Sequence, residues 1–201
     1  MFAIGKTRKE QIEDFVKQLK NHYKRMQTPN RVNNMTLEML KKDGKAPKLR
    51  AKGAETRYMV AFALEVATSV HAYKQNDHTY KCLKCISALL DFYMTFGLDP
   101  YPVDKAKEAC REVVVAYVSL HEDASAAGKN AWAIKQKLHL FMELGEFAVE
   151  ELGDPQGFWS YKDEDYVGLV SAVGESRGGP STASTVPMRV VDRVRALSGR
   201  K

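Results

Sequence analysis

Apolar residues return at helical spacing along most of the chain. Over 7–26, Ile12, Phe15, Val16, Leu19 and Tyr23 recur every three or four positions, and the other face carries lysine and arginine. That period is what a helix needs to bury one stripe. Thr7 stands where an N-cap belongs and Glu10 follows three residues on, the spacing of a capping box. Pro29 ends the helix because it has no amide hydrogen to donate. A short helix is expected over 35–42, bounded by Gly44 and Pro47. The segment KKDGKAPKLRAKG after it is polar, basic and broken by glycine and proline, which marks an exposed loop or linker.

The stretch 54–74, AETRYMVAFALEVATSVHAYK, is apolar on most faces and is expected to be a central helix. Asn76-Asp77 makes a turn, with Asp77 as the cap of a helix over about 79–96 and Gly97 as its C′ residue. Asp104 opens another helix to about Ala124. Its run VVVAYVSL is apolar enough for a strand, but the flanks favour helix. The most regular pattern lies over 131–152, where Ile134, Leu138, Phe141, Leu144, Ala148 and Leu152 form the expected buried stripe. Gly153 and Pro155 stop it. An aromatic loop, QGFWSY, then leads to a helix over 163–175, the break SRGGP and a last helix over 186–198. No period-2 run appears. These elements predict an all-α, single-domain orthogonal bundle of about six or seven helices, with a basic C-terminal helix pair. Its expected divisions are a basic N-terminal helix and loop (1–53), a helical core (54–155) and a helix-turn-helix-like appendage packed on that core (156–201).

Charge changes this picture. The chain has 201 residues and a formal net charge of +6, but the sign is segregated. Residues 1–57 hold 15 Lys and Arg against 6 Asp and Glu, residues 58–175 hold 10 against 18, and residues 176–201 hold 6 against 1. Basic ends flanking an acidic middle point to an anionic partner, most often nucleic acid. The alternative is that the ends fold onto the middle, or onto the middle of another copy. The N-terminus has no apolar run of signal-peptide length, and no stretch approaches the roughly 18–20 apolar residues of a membrane span. With three cysteines and no even disulfide framework, the expected setting is intracellular, cytoplasmic or nuclear, without membrane association.

Three constellations are candidates for chemistry. His139, Glu143, Glu146 and Glu150 are spaced four, three and four apart and so are expected on one helix face, where a divalent cation is one reading and a solvated acidic face the other. Cys82 and Cys85 form a C-x₂-C with His78 before them and Cys110 beyond, the elements of a zinc half-site. Inside an uninterrupted helix, beside Leu83, Ile86 and Leu89, they read instead as small apolar core residues. Asp163, Glu164 and Asp165 complement a helix N-terminus. The candidate metal ligands are therefore His139, Glu143 and Glu164. No phosphate-cradling glycine motif or nucleophile elbow is present, so no catalytic residue is assigned and no cofactor is expected.

The C-terminal segment is the more suggestive one. Ser181, Thr182, Ser184 and Thr185 precede a helix that carries Arg189, Arg193 and Arg195, with Arg177 upstream. Hydroxyls and amides at a helix N-terminus, with arginines beyond, suit phosphate contact. The nine-residue turn is longer than that of a standard DNA-binding helix pair. The same helix is equally able to pack Val190, Val191, Val194 and Leu197 on the core.

Lys137-Leu138-His139-Leu140-Phe141 with Glu143-Leu144, then Gly153-Asp154-Pro155, Phe158-Trp159-Ser160-Tyr161 and Glu164, resembles the late catalytic-domain segment of eukaryotic cut-and-paste DNA transposases of the Kyakuja–Dileera–Zisupton type. The resemblance covers about 30 residues. It implies a setting in mobile-element DNA biology. The strand-rich core and the first two catalytic aspartates of such enzymes have no counterpart in this sequence, so it implies a fragment or a non-catalytic derivative, and Glu164 takes no catalytic role.

The sequence therefore leads to a non-enzymatic nucleic-acid-binding protein, with DNA favoured over RNA. Lys45, Lys48, Arg50 and Lys52 in the loop and Arg177, Arg189, Arg193 and Arg195 in the tail are its candidate phosphate contacts. The alternatives are an assembly module forming a homo-oligomer through basic ends and acidic middle, and a metal-dependent enzyme.

Overall fold

Thr7 starts the first helix as its spacing from Glu10 predicts. In this computed structural model, which describes residues 7–158 apart from 34, 41–48 and 50, α1 runs over Arg8–Arg25. The Glu10 amide donates to Thr7 Oγ1 at 3.3 Å, and the Thr7 amide donates to Glu10 Oε2 at 2.7 Å. The reciprocal pair satisfies donors that a helix start otherwise leaves to water. The apolar stripe of α1 is buried. Leu19 and Tyr23 join Val32, Met35, Met59 and Phe62 in one core, with Phe15 and Val16 packed against it. The rings of Phe15 and Phe62 meet edge to face, 5.2 Å apart. A single turn of helix, α2 (Leu37–Leu40), follows.

The long apolar segment forms α3 (Gly53–Tyr73). Only part of it is central. Met59, Val60 and Phe62 are buried, whereas Thr68, Ser69, Val70, Ala72 and Tyr73 are exposed. Thr68 and Ser69 return their hydroxyls to the carbonyls of Leu64 and Glu65, at 2.8 and 3.0 Å, so this part meets water without orphaned groups. The next helix, α4 (Asp77–Met94), is capped one residue earlier than expected. Asn76 holds the extended backbone of a cap and accepts from the Thr79 amide at 2.9 Å. Asp77 is already helical, and its carboxylate pairs with Lys81. Gly97 takes φ +77° just past the helix end, a conformation costly for a residue with a Cβ.

α5 (Val103–Ala126) packs along α4, and α4 also packs on α3. Cys85, Ala88, Val113 and Leu120 form the centre of this second core, with Phe141 and Trp132 against it. Among the described residues all regular structure is helical and no strand occurs. The fold class is the expected one. No helix among them is long and apolar enough to cross a membrane.

The segment 131–152 departs from its regular pattern. Helix α6 (Gln136–Glu143) starts about a turn late. Trp132 takes φ +55° and stacks edge to face on Tyr117, whose hydroxyl donates to the Ala133 carbonyl at 3.1 Å. A π-helical turn, Leu144–Ala148, then interrupts the helix before it resumes as α7 (Val149–Leu152). Such a turn slips the side-chain register. The fully enclosed positions are Gly145 and Val149, one step on from the expected Leu144 and Ala148, and the expected Ile134 and Leu152 are exposed. Gly145 gives the reason. A Cβ at this position would overlap Cys110 Sγ on α5, so the two backbones approach as only glycine permits. The helices expected over 163–175 and 186–198 lie outside the described residues.

Candidate nucleic-acid interface

The solvent face of α1 carries the basic side chains that its apolar stripe leaves outside. Lys17, Lys20 and Lys24, three and four residues apart, project from one side of the helix and are exposed. At 1.5 Å of rise per residue they span about 10 Å. None of the three has a carboxylate within ion-pair distance among the described residues. Ile12, Glu13, Val16, Lys17, Lys20, Asn21 and Met35 line an open groove beside them. Its floor offers little apolar area, since Ile12 and Val16 are half-buried and Met35 is buried. Both aromatic rings of α1 face the protein: Tyr23 is buried and Phe15 lies on Phe62.

The end of α1 is pinned to α3. His22, 2% exposed, has Nδ1 at 3.2 Å from Glu65 Oε1, and Arg25 Nη2 donates to the same oxygen at 2.5 Å. Desolvation raises the Glu65 pKa, but the hydrogen bond from Arg25 and the charge and hydrogen bond of His22 outweigh it and hold the carboxyl below its usual value. Among the described residues, this is where the basic N-terminal segment forms an ion pair with a carboxylate of the acidic middle.

Elsewhere several carboxylates of the middle pair with bases of that same middle. Arg111 on α5 grips Glu146 with two bonds, at 2.5 and 2.6 Å. Lys107, one turn earlier on α5, donates to Glu150 at 2.6 Å. The Lys107 bond and charge hold the Glu150 carboxyl low. Lys81 on α4 reaches both Asp77 and Asp123 at 2.7 Å, and those bonds raise its pKa. The face expected to gather His139, Glu143, Glu146 and Glu150 is thereby divided. His139 and Glu143 pair with each other at 3.2 Å in solvent, while Glu146 and Glu150 turn to α5.

Of the sequence-predicted phosphate contacts, Lys52 is described. It is exposed at the N-cap of α3, where its amide donates to Glu55 Oε2 at 2.9 Å. Lys45, Lys48, Arg50, Arg177, Arg189, Arg193 and Arg195 lie outside the described residues, as does Glu164. The α1 lysines were not singled out from the sequence, although their spacing opposite the apolar stripe is the signal that finds them.

Among the described residues no group of three or more His, Cys, Asp or Glu is placed to hold a metal ion. The three thiols are free. Cys85, in the second core, and Cys110 are both buried, and desolvation pushes both up to about 11. Cys82 is half-buried, with Sγ at 3.8 Å from His78 Nε2. At neutral pH such thiols are protonated and pack as small apolar groups, the second of the two readings their spacing allows. No family model, curated protein or solved structure matches the chain.

Proposed function

We propose that this protein binds nucleic acid without acting on it chemically, using basic side chains of its terminal segments to neutralise phosphates. One observation carries the reading. Glu146, Glu150 and Asp123 of the acidic middle are engaged by bases of that same middle, Arg111, Lys107 and Lys81, while Lys17, Lys20 and Lys24 of the N-terminal segment have no carboxylate partner among the described residues. Self-complementation between the N-terminal segment and the middle would have drawn these lysines onto those carboxylates. A positive surface left open to solvent attracts a polyanion, and each phosphate neutralised releases counterions. In this reading the loop and tail residues named above are further candidate phosphate contacts. The pattern at 137–164 adds a mobile-element setting, with DNA favoured over RNA.

The test is a gel mobility shift of a 20-base-pair duplex by the purified chain at about 50 and 200 mM salt. With six or more phosphates neutralised, retardation at the lower salt should weaken by about three orders of magnitude at the higher. Binding that does not change between the two, or no binding at either, contradicts the proposal.

A second reading, an assembly module, draws on apolar side chains left at the surface of α6, the π turn and α7. Leu140, Phe147 and Leu152 are each more than half exposed. Such a module would bury them against another chain.

A further inference from the structure

We infer that the α1 strip of Lys17, Lys20 and Lys24 is a phosphate-backbone contact for double-stranded nucleic acid, which it grips without reading bases. The inference rests on the nucleic-acid reading above and names a site that the loop and tail residues do not include.

Three features select this ligand. The strip is rigid: its lysines stand on a helix whose other face is locked into the core through Leu19 and Tyr23, and whose end is tied to Glu65 by Arg25 and His22. A rigid row of cations about 10 Å long suits a ligand whose charges are also held in a row, as in a duplex. The strip offers no stacking platform, because both aromatic residues of α1 face inward. Single strands are held by aromatic side chains on which successive bases stack, so their main source of affinity is missing here. The adjoining groove, finally, is unsuited to a partner helix. Such a helix needs an apolar trough for its anchors, and this floor is mostly covered. Asn21, exposed between Lys17 and Lys24, is a further donor for a phosphate oxygen, while Glu13 at the groove edge opposes the anion. Lysines act on phosphate as point charges and carry no base specificity.

The experiment is fluorescence anisotropy of the full chain with a labelled 20-base-pair duplex and with one of its separated strands, over a salt series. It compares the wild type with two triple variants. The first is Lys17→Gln, Lys20→Gln, Lys24→Gln. The second, Lys84→Gln, Lys105→Gln, Lys137→Gln, removes the same charge from exposed positions on α4, α5 and α6. All six side chains are exposed, and circular dichroism melting of each variant establishes that it folds. The α1 variant should lose roughly tenfold or more in duplex affinity at low salt, and its slope of log affinity against log salt should fall by about 2 to 3. The second variant should keep the wild-type slope, and the wild type should prefer duplex to single strand. Equal losses in both variants, an unchanged slope in the first, or preference for the single strand overturns the inference. A wild type that binds neither ligand overturns the nucleic-acid reading itself, which separates the two failures.

Discussion

The missing Cβ of Gly145 settles how α5 and the π turn meet. Replacing a helical glycine with alanine ordinarily stabilises by about 0.5–1 kcal/mol. Here the added methyl falls on Cys110 Sγ and Cβ, a side chain that is fully buried. Overpacking of this kind costs about 1–3 kcal/mol. The clash therefore outweighs propensity, and Gly145→Ala should lower the urea-unfolding free energy by about 1–2 kcal/mol. Adding Cys110→Ala in the same chain should recover part of the loss, because the two sites are in contact and do not act independently. A stabilised single variant would mean that the helices do not approach this closely.

At the scale of elements, the α1–α3 joint depends on Glu65. Its folded pKa is lowered, so it adds stability that is complete above its unfolded value of about 4.5 and disappears as pH falls through the lower folded value. Glu65→Gln should thus be less stable than wild type at pH 6, and the gap should close below about pH 4.5. The carboxylate is 49% exposed, so solvent screening limits the effect to about 1 kcal/mol or less. Urea melts of both proteins at pH 6 and pH 3 measure it, and a gap that widens in acid contradicts the joint. The elements themselves were largely legible in the sequence. Thr7 and Glu10 announce the start of α1 because a capping box is a local interaction, and the stripe of Ile12, Phe15, Val16, Leu19 and Tyr23 fixes the buried face. The cap of α4 falls on Asn76, one residue before the Asp77 that the sequence suggests. Asn76 and Asp77 are both good caps, and the choice between them turns on the reach of Asp77 to Lys81. The register of 131–152 was not legible, since the π turn answers to Cys110 on another helix. The pairing of Glu146 and Glu150 with Arg111 and Lys107 is equally a matter of tertiary placement.

At the scale of the whole molecule, the segregation of charge was plain from the composition along the chain. What the sequence left open was whether the basic and acidic segments cancel. Among the described residues an ion pair joins them at Glu65, while Asp77, Asp123, Glu146 and Glu150 of the middle pair with Lys81, Lys107 and Arg111 on α4 and α5. The surplus positive charge of the chain is accordingly expected to meet a polyanion rather than a second copy of the chain. Light scattering of the 22.6 kDa chain, with and without a short duplex across a salt series, puts that expectation to the most direct trial. Without duplex the mass should stay constant as salt rises. With duplex a heavier complex should form at low salt and fall apart as the charges are screened. An assembly that forms without duplex and dissolves with salt, or a mass that the duplex never changes, would contradict the account.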